Sequence, residues 1–182
     1  MTTINRSRAS NQRRIQLPDS LEELIRIVRT PPKGEGEELI WADTVRGAAA
    51  SALGVRGDPK AVPALMEVLS DDNYVCTCAV LALGRIRPPK AIDVLVAILG
   101  DRERFWVPRG AAAIALGRFG PAAHSALPAL RKALKYECAS ENETWHRRAR
   151  AAVKDAILHI REPKAPCSLK NNGLMFEMWG IY

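Results

Sequence analysis

The chain has 182 residues, 47% of them hydrophobic and 26% charged, with a net charge of +7. That length suffices for one domain with a continuous core. It contains no apolar run of about 18 residues that could cross a bilayer and no apolar leader core after Met1, so no membrane contact is expected and a cytoplasmic location is.

In chain order, residues 1–18 carry Arg6, Arg8, Arg13 and Arg14, no acid and no apolar periodicity, so they read as a basic disordered arm. A mitochondrial presequence would need an apolar face that this stretch almost lacks. Ser20 to Arg29 reads as an amphipathic helix with Leu21, Leu24, Ile25 and Val28 on one stripe, capped by Asp19 or Ser20. No Ala-rich segment precedes it, so it reads as a half-unit closing the first end of a stack. Thr30 to Gly36, broken by Pro31, Pro32 and two glycines, is a loop.

Then the chain begins to repeat itself. Val45-Arg-Gly-Ala-Ala-Ala-Ser-Ala-Leu-Gly54 returns as Val75 to Gly84, as Pro108-Arg-Gly-Ala-Ala-Ala-Ile-Ala-Leu-Gly117, and more faintly as Ala149 to Ile157. The apolar spacing at 45, 48, 49, 52 and 53 gives a helix with one buried stripe, and the glycine is expected to end it. Each copy leads through a charged turn into a second apolar segment, at Asp58–Leu69, Pro88–Leu99 and Ala122–Leu134. Asp58 and Pro59 suit the start of that second helix, which Pro63 should shorten or bend. The unit is an antiparallel helix pair. About four such pairs with an N-terminal capping helix predict an all-α solenoid over residues 19–162. Lys135 to Thr144 is an insertion before the last Ala-rich helix, and residues 163–182 form an apolar C-terminal tail that would either fold back over the end of the stack or dock on another protein.

Val-Arg-Gly-Ala-Ala-Ala-Ser-Ala-Leu-Gly followed by Gly-Asp-Pro-Lys-Ala-Val-Pro-Ala-Leu resembles the HEAT-like repeat first described in phycobilisome lyases, over roughly residues 37 to 160. The resemblance implies that the Ala-rich helices line a concave wall. With the stripe above buried, positions 46, 47, 50 and 51 would face the groove. Their repeat equivalents are Cys76, Thr77, Val80 and Leu81, then Arg109, Gly110, Ala113 and Ile114, then Arg150, Ala151, Lys154 and Asp155. The expected partner-binding floor is Val80, Leu81 and Ile114, flanked by Arg46, Arg109, Arg150 and Lys154. Against this stands the reading that these helices are more buried and that the recurrent arginine pairs with acids or carbonyls of the adjacent repeat. Trp41, Tyr74, Phe105, Trp106 and Trp145 each precede an Ala-rich helix, which would gather Trp41, Trp106 and Trp145 along one edge as anchors.

The charge is unevenly placed. Residues 19–84 hold six basic and eleven acidic residues, and residues 85–164 hold sixteen basic and eight acidic. These features point to a non-catalytic adaptor binding another protein through its concave face and its aromatic and arginine edge. Nucleic-acid binding by the basic half and the Arg-rich arm, as in HEAT-repeat DNA glycosylases, is a second reading. A bilin-lyase or chaperone-like role is a third, resting on the resemblance alone. Head-to-tail self-association through opposite charges is compatible with the pattern. His124, His146 and His159 are isolated and none is followed by Glu, so the His-Glu iron pairs of the HEAT-repeat enzyme deoxyhypusine hydroxylase have no counterpart, and neither catalysis nor a cofactor nor a metal is expected. Cys76, Cys78, Cys138 and Cys167 read as small thiols in a reducing compartment.

Overall fold

The alternation of Ala-rich and Leu/Val-rich segments becomes two layers of helices. The computed structural model describes residues 15–71, 73–138 and 143–162. Among them are eight α-helices and no strand: α1 (Leu21–Arg29), α2 (Glu37–Arg56), α3 (Val62–Glu67), α4 (Asn73–Ile86), α5 (Ile92–Gly100), α6 (Trp106–Phe119), α7 (Leu127–Cys138) and α8 (Glu143–Arg161). The arginines of the N-terminal arm, the middle of the expected insertion, Cys167 and the apolar tail lie outside the described residues, as do the side chains of Cys138 and Trp145.

The even-numbered helices are the Ala-rich ones, and each packs along the next: α2 on α4, α4 on α6, α6 on α8. The odd-numbered helices pack mainly onto the Ala-rich helix that follows each of them in the chain, α1 on α2, α3 on α4, α5 on α6 and α7 on α8, rather than onto the one that leads into them, and they touch one another sparsely. A layer drawn tightly together beside a layer spread apart must curve, with the tight layer inside. One apolar cluster runs through the whole array from Leu24 and Val28 through Leu53, Leu83 and Leu116 to Val153 and Ile160.

Glycine sets the tightness of the inner layer. A Cβ added to Gly54 would stand 2.6 Å from Ala82 Cα, one on Gly84 2.7 Å from Ala115 Cα, and one on Gly117 3.0 Å from Ala156 Cα. The sequence reading took these glycines as helix ends, and that is corrected: each lies inside its helix, where it lets the next backbone approach. The helices end three residues later, at Gly57 (φ 70°), Arg87 (φ 57°) and Gly120 (φ 57°), all in the left-handed region. Gly57 N–H donates to Leu53 O at 3.1 Å and Arg87 N–H to Leu83 O at 2.7 Å, closing the last turns of α2 and α4. In α8 the position equivalent to these glycines is Leu158, 48% exposed.

The outer helices begin as their turn residues require. Ser20 Oγ accepts from Glu23 N–H at the start of α1 (3.5 Å), and Asp58 Oδ1 accepts from Lys60 N–H (2.8 Å). Pro59 to Ala61 forms a 3₁₀ turn, and only then does α3 start, with Pro63 as its second residue, where a missing N–H costs nothing. This gives the shortened helix expected from Pro63.

Two outcomes test this packing. Alanine favours a helix over glycine by up to about 1 kcal/mol. At Gly100, where an added Cβ meets nothing within 4 Å, that preference should leave Gly100→Ala unchanged or slightly more stable. At Gly84 the same methyl pushes α4 from α6, so Gly84→Ala should lose about 1–3 kcal/mol in urea unfolding; equal stability of the two variants contradicts a layer set by backbone contact. Arg87 is exposed and strained by its left-handed backbone. Arg87→Gly should therefore raise the urea midpoint by about 1 kcal/mol in stability, and a lowered midpoint counts against the strain.

Candidate interaction surface

The helix face first assigned to the groove is largely covered. Arg46 (6% exposed), Val80 (0%) and Arg109 (7%) are buried, as are Gly47, Ala50, Cys76, Thr77, Gly110 and Ala113, which corrects the expectation that they face outward. The physical reason is the packing of the Ala-rich layer. Positions 47, 50 and 54 point at the next Ala-rich helix: the Tyr74 ring lies against Gly47 and the backbone at Ala82 against Gly54. Only the last of the four positions stays half-exposed, at Ser51, Leu81, Ile114 and Asp155. In α8 no further Ala-rich helix follows among the described residues, so Arg150 is half-buried and Lys154 exposed.

The recurrent arginine closes the outer helices. Arg46 Nε and Nη2 donate to Val28 O at 3.2 and 3.1 Å near the end of α1, Nη1 donates to Asp43 at 3.1 Å, and Nη2 also meets Asp71. Arg109 Nε donates to Leu99 O near the end of α5 at 3.4 Å. A cation at these carbonyls complements the negative end of each helix. The repeat between them has Cys76 instead of arginine. There Arg104, from the loop before α6, donates through Nη1 to Leu69 O at 3.1 Å and lies 3.2 Å from Cys76 Sγ. A guanidinium is thus restored at the equivalent carbonyl from a different point in the chain. Arg46 and Arg109 tie the two layers together rather than present a charge to solvent.

What remains open on the inner wall is a narrow strip of two rows. One holds Ser51, Leu81, Ile114 and Asp155. One turn further along each helix, the other holds Val55 (73% exposed), Arg85 and Arg118. Arg118 Nη1 donates to Leu81 O at 3.3 Å, so the guanidinium reaches from α6 across to α4. Val55, Arg85 and Arg118 were missed by the sequence reading, although they recur at the same spacing as Ser51, Leu81 and Ile114.

The aromatic residues fall near the N-terminal ends of the inner helices. Trp41 and Trp106 are half-buried, Tyr74 packs against the core, and Phe105 is 62% exposed. Trp145 lies in the first turn of α8. The first turns of α2 also leave Ile40 68% exposed. Of the cysteines, Cys76 and Cys78 are buried and not in a disulfide.

A cavity of about 330 Å³ opens beside α1 and α3, and its two arginines are both paired with its three carboxylates. On one wall Arg29 grips Glu67 through two bonds, Nε to Oε2 at 2.7 Å and Nη2 to Oε1 at 2.8 Å; on the other stand Arg46, Asp43 and Asp71. The hydrogen bond from Arg29 holds the Glu67 carboxyl below its ordinary range, and the same bond raises Arg29. Because the folded-state value of Glu67 lies below the unfolded one, the pair stabilises the fold above the unfolded value of about 4.3 and that contribution is lost as pH falls through the folded value. Both groups are exposed, so the effect is small. Glu67→Gln should melt slightly below wild type at neutral pH, with the two converging on acidification; a gap that persists unchanged at strongly acid pH contradicts the pairing.

Among the described residues no helix is long and apolar enough to cross a membrane, and no group of three or more His, Cys, Asp or Glu residues could hold a metal ion. The family model for HEAT repeats matches residues 38–107, and that for the PBS lyase HEAT-like repeat matches residues 108–136. No curated protein matches the chain. The first match spans α2 to α5, reaching into α6, and the second spans most of α6 and α7, so they cover the glycine-spaced stack just described. The chain belongs to the HEAT-like repeat family, an all-α solenoid whose repeats generally mediate protein–protein interaction.

Proposed function

We propose that this chain is a non-catalytic adaptor that binds another protein along the strip on its inner wall. The observation that carries the reading is the continuous pair of rows containing Leu81, Ile114, Val55, Arg85 and Arg118, which no described element covers. Since the wall is prebuilt and tied to the outer layer by Arg46, Arg104 and Arg109, binding needs little ordering of the chain. The exposed side of α8, with Arg150 and Lys154, extends the surface toward the last repeat, and Trp41, Trp106 and Trp145 supply anchors at one edge of it. The basic arm of residues 1–18 and the apolar tail of residues 163–182 are further contacts in this reading. Buried cysteines at 76 and 78 that form no disulfide accord with a reducing, cytoplasmic setting.

Photo-crosslinking amino acids placed at positions 51, 81 and 114 of the full chain, in the cells that make it, test the proposal. We expect defined crosslinked protein species from these positions and none from the exposed outer-helix positions 60 and 93. Equal labelling from both sets, or none from the inner set, refutes it.

A further inference from the structure

The open strip is acid-free over its central part, and that limits what it can hold. No Asp or Glu occurs between residues 73 and 92 or between 104 and 136, so neither α4 nor α6 contributes a carboxylate. Both contribute a cation to the strip, Arg85 and Arg118, and each stands one helical turn beyond an apolar residue, Leu81 and Ile114 respectively. The result is an apolar row and a cationic row running side by side across two helices. Asp155 on α8 ends the apolar row, which confines the acid-free part to α4 and α6.

Arg85 makes no hydrogen bond or ion pair among the described residues. Arg118 is steadied by the Leu81 carbonyl and is positioned over the gap between the helices. Arginine in such a setting favours carboxylates, which accept from its guanidinium in a fork.

We propose that the occupant of the strip is an amphipathic helix with an apolar stripe for Leu81 and Ile114 and carboxylates along one flank for Arg85 and Arg118. This rests on the adaptor reading and adds the chemistry of the partner. Closely packed helices lie about 8–10 Å apart, so a helix crossing α4 and α6 meets equivalent positions about every five to seven of its own residues. Helix-in-groove recognition supplies the affinity through the apolar stripe. The cationic row sets the sign of charge that is accepted.

Three labelled helical peptides with one Leu stripe and flanks of Glu, Gln or Lys, titrated into the full chain by fluorescence anisotropy, test the assignment. The Glu peptide should bind about tenfold tighter than the Gln peptide, the Lys peptide weakest, with the preference shrinking as salt is raised. Arg85→Glu should remove the preference, and Arg85→Glu with Arg118→Glu should reverse it. Since Arg118 also holds the Leu81 carbonyl, the single Arg85 variant is read beside the double one, each with its melting curve. Equal binding of all three peptides that is lost in Leu81→Asp overturns the acidic-partner assignment while leaving the groove in use. No binding of the Glu peptide, or binding indifferent to both Leu81→Asp and Arg85→Glu, overturns the assignment and the inner strip together.

Discussion

Backbone-to-backbone contact within the Ala-rich layer is the constraint on which the other features depend. Gly54, Gly84 and Gly117 let Ala82, Ala115 and Ala156 come closer than any side chain would allow. That closeness draws one layer tighter than the other and bends the array. It also decides exposure: a helix flanked on both sides by others of its kind and backed by the outer layer keeps only a narrow face toward solvent. Gly47, Ala50, Arg46 and their equivalents in α4 and α6 are therefore interior.

Once interior, the arginines need partners, and the ends of the outer helices provide them. The carbonyls of Val28, Leu69 and Leu99 occupy comparable places in successive repeats, and each accepts from a guanidinium. That the middle one is served by Arg104 shows that the need is set by the unpaired carbonyl. The repeat pattern itself need not supply the side chain. These bonds fasten the outer layer to the inner one, so the residues of the strip sit on a wall that is stiff before anything binds.

The repeats, the helix pairs, the turn at Asp58 and Pro59 and the effect of Pro63 were all legible in the sequence, because each follows from local spacing and local backbone chemistry. The exposed face was not. With alanine at four of the ten positions of both Val45–Gly54 and Pro108–Gly117, and glycine at two more, few polar side chains mark where solvent lies. The residues that do mark it, Val55, Arg85 and Arg118, lie beyond the glycines, and reading those glycines as stops removed them from the helix. The true stop was obscured as well: of the three left-handed residues, the middle one is Arg87, which does not announce a turn as Gly57 and Gly120 do. Arg104 could not be found by repeat alignment, because it substitutes for Cys76 from outside the pattern.

Leu158 occupies in α8 the place that glycine holds in α2, α4 and α6. A side chain of that bulk holds any would-be neighbour at ordinary side-chain distance, so another Ala-rich helix cannot lie against α8 as its predecessors lie against each other. Growth of the array in the same style therefore halts there, whether the newcomer were a duplicated module or a second molecule. The reach of the curved wall is thereby written into one residue of its last described helix.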